Sequence, residues 1–203
     1  MLPRIIMASV LVLYAHPAPH KSRINRRLAA AAREVEGVTF RDLYELYPDF
    51  LIDVEEEQRL LKEHDIIVLQ HPFYWYSAPS LVKEYLDLVL TYGWAYGEGG
   101  TALQGKTLIH AISAGGSEEF YCSQGRNRFT IRQLLAPFDQ TAFLCGMRYI
   151  APHVIHGANQ LADHESIMPH AQRYARLLRA LRDETLPIEL AVDSHKINDL
   201  IPA

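Results

Sequence analysis

Three polar loops carry the residues that could do chemistry. The first, residues 15–25, reads Ala-His-Pro-Ala-Pro-His-Lys-Ser-Arg-Ile-Asn. It holds no glycine, which excludes the G-x-G-x-x-G turn of a dinucleotide fold and the glycine-rich loop of an NTPase. It opens onto a helical pattern, and a helix N-terminus favours an anion. Ser22 offers a hydroxyl, Asn25 an amide and His16 a donor on the far side, a set that suits a terminal monophosphate. Taken alone, the loop reads at least as well as a helix cap at Ser22 and a turn at His16.

The second loop, residues 71–79, places Phe73, Tyr74, Trp75 and Tyr76 between two prolines. A core can absorb Phe73, but a loop has to display Trp75 and Tyr76. Such rings can lie against a flat, apolar, hydrogen-bonding ligand, or they can simply roof the core. The third loop, residues 113–117, is Ser113-Ala114-Gly115-Gly116-Ser117; its glycines let backbone approach a ligand closely. Together the three loops suit the three parts of a flavin mononucleotide.

The elements between the loops explain why they should meet. Residues 9–14, 65–70 and 106–113 are apolar runs of strand length, as expected for strands buried on both faces. Residues 38–43 and 147–156 supply two more. Helical patterns follow at residues 22–36, 54–63, 80–91, 128–136 and 168–183. Five strands alternating with five helices predict an α/β three-layer sandwich, a five-stranded parallel sheet with helices on both faces. Ligands of such sheets bind beyond the carboxyl ends of the strands, where all three loops lie. No repeat or linker breaks the chain, so residues 1–203 read as a single domain with a core at 8–183. The tail at 184–203 reads as an arm on a partner subunit or as partly disordered.

Composition narrows the class. Hydrophobic residues make up 49% and charged residues 22%, enough apolar content for a sizeable core. The net charge is −4 with no basic block, which argues against a nucleic-acid partner. Cys122 and Cys145, with no CxxC, read as free thiols of a reducing compartment, so a cytoplasmic location is expected. The apolar run 8–15 is too short to span a bilayer, which takes about 20 residues. Ten histidines raise the question of a metal, but none falls in a ligand pattern, and none is expected.

The aromatic loop with Pro72, Pro79, Lys83 and Asp87, the stretch 99–106 and the run 114–117 resemble the flavodoxin-fold NAD(P)H:quinone oxidoreductases, the DT-diaphorase group. That resemblance spans residues 10–156. A narrower one, to the ancillary proteins of glutathione-gated potassium efflux systems, rests on residues 14–17, 43–50 with Ile52 and Asp53, 70–72 and 94–97. Tyr47-Pro48-Asp49-Phe50 is its most specific segment.

The resemblance implies a flavodoxin-like fold binding FMN, with NAD(P)H as co-substrate and a quinone-type acceptor. It implies that His16, Ser22, Arg23, Ile24 and Asn25 hold the flavin phosphate. The ring would lie against Phe73, Tyr74, Trp75 and Tyr76, with Ser113, Ala114, Gly115 and Gly116 on its other polar edge. Tyr121 falls where the group has a charge-relaying tyrosine. Its partner histidine is replaced by Asn127, which cannot titrate near neutral pH. Trp94 and Tyr96 are candidates for the pocket wall. The group also implies a homodimer with the site at the shared interface. The alternative function it implies is a regulatory subunit docked on a potassium efflux membrane protein, peripheral at the inner membrane, with redox activity secondary. An acidic electron-transfer flavodoxin fits the composition and the first loop less well.

Overall fold

Alternation along the strands builds a core on each side of one sheet. In the computed structural model, which describes residues 7–161 and 163–202, β1 (Val10–Tyr14) sends Leu11 and Leu13 to one side and Val10 and Val12 to the other. β3 (Ile66–Pro72) divides Ile67 and Leu69 from Ile66 and Val68 in the same way. Every residue of β1, β3 and β4 (Thr107–Ser113) is buried, as a parallel sheet covered on both faces requires. β2 (Val38–Asp42) pairs with β1, and the strand order is β2-β1-β3-β4-β5, with β5 at Arg148–Tyr149, all parallel.

α1 (Ile24–Arg33) and α7 (His164–Arg182) cover one face through Leu28, Ala32, Tyr174, Leu178 and Leu181. α3 (Val54–Glu63), α4 (Ser80–Val89) and α6 (Ala136–Leu144) cover the other through Leu60, Leu61, Leu81, Tyr85 and Phe138. The chain leaves β1 for one face and β3 for the other, so the β1 and β3 loops diverge and leave a crevice.

Several expectations are corrected. The fifth strand is two short segments, β5 (Arg148–Tyr149) and β6 (His153–Ile155), both paired with β4. Pro152 lacks an N–H and interrupts the ladder. The helix expected at 128–136 is a single turn, α5 (Ile131–Leu134), closed by a Thr130–Gln133 capping box. α6 follows it at once, with Pro137 in its first turn, a position proline favours. A short helix, α2 (Leu43–Leu46), starts where Asp42 caps the Glu45 N–H.

Residues 184–202 of the tail, expected as an arm or as partly disordered, pack on this chain's own core. Leu186, Ala191 and Ile197 are buried in the α1–α7 core, with α8 (Ile188–Asp193) between them. The Asn198 side chain accepts from Val154 N and donates to Val154 O, at 2.9 and 2.8 Å. The tail therefore closes the free edge of the sheet.

Glu57, fully buried on α3, organises the segment before it. Its Oε1 accepts from Arg41 Nε at 2.9 Å and from the Tyr47 hydroxyl at 2.6 Å, and its Oε2 accepts from Tyr85 at 3.1 Å. The phenols stay protonated: burial and the adjacent carboxylate push Tyr47 up to about 12. Glu57→Leu leaves Arg41 with the more distant Glu56, 4.0 Å away, and strips the Tyr47 and Tyr85 hydroxyls of their acceptor, so urea denaturation should show a loss of about 3 kcal/mol. A loss under about 0.5 kcal/mol would remove this network from the account.

Burial also drives the core histidines neutral. His71 is pushed down to about 4 and His153 to about 3, chiefly by desolvation. Both folded values lie below the ordinary 6.5, so the unfolded chain binds protons that the folded one refuses. Stability should therefore fall as pH drops below about 6.5, by roughly 2 kcal/mol for each of these histidines at about pH 5. A urea midpoint that holds or rises between pH 7 and pH 5 would contradict their neutrality.

Candidate functional site

The three loops do meet, around a cavity of about 340 Å³ beyond the carboxyl ends of β1, β3 and β4. His16, Ser22, Arg23, Ile24, Asn25, Phe73, Tyr74, Ser113 and Gly115 line it, as the sequence proposed. Lys21, Pro72, Ala158 and Asn159 line it as well. The last two come from the loop after β6, joined to the glycine loop by Gly157 N–Gly116 O at 2.8 Å and Ala158 N–Ala114 O at 2.9 Å. Nothing in the composition of that loop marked it. Trp94 and Tyr96 do not line this cavity.

One end of the cavity is built for an anion. α1 begins at Ile24, one residue later than a Ser22 cap would give, because a short 3-10 turn, Pro19–Lys21, comes first. The first-turn N–H groups of α1 have no intrahelical acceptor. Lys21 and Arg23 add positive charge, and no acidic side chain lines the wall. The Ser22 hydroxyl accepts from Arg26 N at 3.3 Å, leaving its own proton to donate. His16 Nδ1 accepts from Ala18 N at 3.1 Å, which puts the proton of the neutral ring on Nε2. Burial lowers the His16 pKa, so the ring enters as a neutral donor.

Asn25 has a second task that its sequence position did not reveal. Its side-chain NH2 donates to Ser113 Oγ at 2.7 Å, and its main-chain carbonyl accepts from Gln70 Nε2 at 3.1 Å. Its Oδ1 is buried without a partner. A hydroxyl both donates and accepts, so the amide can keep Ser113 in either orientation.

The aromatic loop forms the other end. Phe73 N donates to Ser113 O at 2.9 Å, fixing the loop to β4. Trp75 and Tyr76 occupy the left-handed region, φ 50° and 64°, in a two-residue turn closed by Ser77 N–Tyr74 O at 3.0 Å. Bulky residues rarely adopt that conformation, and such strain clusters at ligand sites. Trp75 is 92% exposed and lies outside the cavity with Tyr76. Ala114 is buried beneath the cavity floor. At Gly115, an added Cβ would stand 2.8 Å from Asn159 Nδ2 and take the space the cavity needs.

Tyr121 and Asn127 lie on the far rim rather than in the cavity wall. The Tyr121 ring packs against Phe73, centroids 6.0 Å apart. Burial raises its pKa, opposed by the Gly116 main chain and the Asn127 amide. The imidazole nearest it is His156, at the end of the strand expected over 147–156 and given no role there, with ring centroids 5.5 Å from Tyr121. A second cavity of about 400 Å³ opens behind the pair, reached by Cys122, Glu118 and Lys196.

The chain belongs to the family described as having a flavodoxin-like fold, whose model matches residues 8–178. It is 49% identical over 152 residues to the glutathione-regulated potassium-efflux system ancillary protein KefG of Pectobacterium atrosepticum, covering 75% of this chain and 83% of that one. It is 46% identical over 170 residues to general stress protein 14 of Bacillus subtilis, covering 84% and 97%. Among solved structures, general stress protein 14 of Treponema denticola in complex with FMN superposes with a TM-score of 0.78 at 37% identity, covering 85% and 99%. An NADPH-quinone reductase from P. pentosaceus gives 0.74 at 30% identity, covering 83% and 96%. A chain described as a tryptophan halogenase from Streptomycin violaceusniger gives 0.80 at 46% identity, covering 83% and 97%. Those activities differ, so a function has to be argued from the site.

Gly125 shapes the rim loop. An added Cβ would stand 2.5 Å from Glu119 O and 2.6 Å from Phe120 O, both main-chain atoms that cannot swing aside. Gly125→Ala should therefore release the Asn127 N–Phe120 O bond. Amide exchange at Asn127 should rise on the order of tenfold while the rest of the sheet keeps its protection. Unchanged exchange there would show that the loop is not held by this turn.

Proposed function

We propose that this chain is an FMN-dependent NAD(P)H oxidoreductase that passes hydride through the flavin to a quinone-type acceptor. The observation that carries the reading is the cavity itself, with an anion-binding helix start at one end and a strained aromatic loop facing a glycine loop at the other. The likeness to a solved FMN complex and to an NADPH-quinone reductase supports it.

The residues present fit FMN. The α1 N–H groups, Ser22, His16, Arg23 and the Asn25 amide would hold the phosphate, with Lys21 supplying charge. Phe73 and Tyr74 would take one side of the ring, Trp75 and Tyr76 its exposed rim, and Ser113 with the 114–116 main chain its polar edge. At Gly115 a side chain would run into Asn159, 2.8 Å from an added Cβ, so glycine is what leaves that main chain bare for such an approach. Bound FMN supplies a ring that accepts hydride from a nicotinamide and returns it to the acceptor.

The protein's share is placement and charge. Tyr121 stays protonated at neutral pH because burial raises its pKa, so it can donate to a negative oxygen at the rim. Asn127 supports that hydroxyl without titrating. Neutral His156 beside it supplies the imidazole that the sequence reading missed. In anaerobic mixing with NADPH, the FMN-loaded protein should lose its oxidised-flavin absorbance, and Tyr121→Phe should slow acceptor reduction on the order of tenfold. A flavin that stays oxidised for minutes would overturn the reading.

A second reading, docking on a potassium-efflux membrane protein, draws on the KefG likeness and on the segment 47–51. Tyr47 is held inside by Glu57, which leaves Leu51, 77% exposed, as the outward face. Among the described residues no helix is long and apolar enough to cross a membrane, so membrane attachment would come through the partner. A cytoplasmic location and a homodimer closing over the exposed Trp75 belong to the same proposal. Leu51→Asp should abolish co-sedimentation with membranes that carry such a channel while leaving NADPH oxidation intact; retained co-sedimentation would dismiss that face.

A further inference from the structure

Two fully buried histidines lie directly under the aromatic loop and take no part in the chemistry above. His71 is the penultimate residue of β3, and His110 stands on β4. His71 Nε2 is 2.8 Å from His110 Nδ1, and His71 Nδ1 is 2.9 Å from Pro72 O. The His110 ring packs on Phe138 and Tyr149, centroids 4.5 and 5.8 Å away, and its Nε2 is buried without a partner.

Hydrogen-bond chemistry fixes every proton in this chain. A carbonyl oxygen only accepts, so the His71 proton facing Pro72 must sit on Nδ1. Burial without a neighbouring carboxylate keeps both rings neutral, with His71 pushed down to about 4 and His110 well below its ordinary value. A neutral ring with its proton on Nδ1 has a bare Nε2, which must accept. His110 Nδ1 therefore donates, and His110 Nε2 is bare, in keeping with its missing partner.

The Pro72 carbonyl is the hinge of the loop. It accepts from His71 Nδ1 and also from Tyr74 N at 3.0 Å, which closes a three-residue turn over Phe73. Pro72, Phe73 and Tyr74 all line the cavity. We propose that His110 acts as a positioning residue: by donating to the bare His71 Nε2 it holds the His71 ring in the one orientation that presents Nδ1–H to the Pro72 carbonyl, and thereby holds the cavity face of the aromatic loop. Without the His110 donor, Nε2 would be a buried acceptor with no partner. The ring would then turn from this position and release the Pro72 oxygen.

The effect on ligand binding rests on the reading that FMN occupies the cavity; the tautomers do not. The first measurement is nitrogen-15 NMR of the full-length protein without flavin. Both rings should show protonated Nδ1 and bare Nε2, and a His71 proton on Nε2 overturns the proposal. The second compares His110→Leu, which removes the donor, with His110→Asn, whose amide can replace Nδ1–H. His110→Leu should speed exchange of the His71 Nδ1 proton and weaken FMN binding, each on the order of tenfold. His110→Asn should restore both. Equal behaviour of the two variants overturns the proposal, as does unchanged exchange of the His71 Nδ1 proton in His110→Leu. If the unaltered protein binds no FMN yet shows the expected tautomers, the flavin reading fails and the positioning role stands.

Discussion

The junction at Asn25 holds the site together. Three structural ends converge there: α1 begins, β3 reaches it through Gln70, and β4 reaches it through Ser113. All three side chains are buried: the Asn25 amide bonds the Ser113 hydroxyl and the Gln70 amide bonds the Asn25 main-chain carbonyl, while Asn25 Oδ1 and Gln70 Oε1 are left without a partner. A parallel sheet sets strand spacing but does not say how far a helix start stands from a neighbouring strand's end. The 2.7 Å bond between Asn25 and Ser113 does, and it fixes the distance between the anion-binding end and the polar edge of the cavity.

Rigid support and local strain are divided between the two ends. The end at the start of α1 is ordinary backbone: a 3-10 turn leading into a helix, with Lys21 and Arg23 beside it. The aromatic end carries two left-handed bulky residues, which cost of order 1–3 kcal/mol each. That cost is tolerated because the loop is tied twice where it leaves β3, to Ser113 by Phe73 N and to the histidine pair by the Pro72 carbonyl. Glu57 on α3 anchors the 47–51 segment in the same way, through the Tyr47 hydroxyl.

Much of this was legible in the residues. Apolar runs at 9–14, 65–70 and 106–113 marked the buried strands because a parallel sheet hides both faces, and the loops after them had to share an edge. The flavodoxin-like resemblance named the right family, and nine of its thirteen proposed binding residues line the cavity: His16, Ser22, Arg23, Ile24, Asn25, Phe73, Tyr74, Ser113 and Gly115. What escaped had no local signal. α6 was hidden because it leaves Phe143 and Leu144 exposed, so its sequence lacks one clean apolar face. The tail looked unpatterned because its buried residues, Leu186, Ala191 and Ile197, are spaced for a path along a sheet edge rather than for a helix. Asn159 and His156 enter the site through pairing of the 114–116 and 157–158 main chains, a long-range contact that no spacing encodes.

The central claim is that a phosphate rests at the start of α1 while a ring lies against Phe73 and Tyr74. Titrating the flavin-free protein with FMN and with riboflavin, which lacks the phosphate, tests it most directly. The geometry predicts FMN binding tighter by at least on the order of tenfold, with the advantage shrinking as salt rises, because charge-assisted bonds supply it. Equal affinity for the two flavins, or none for either, would contradict the account.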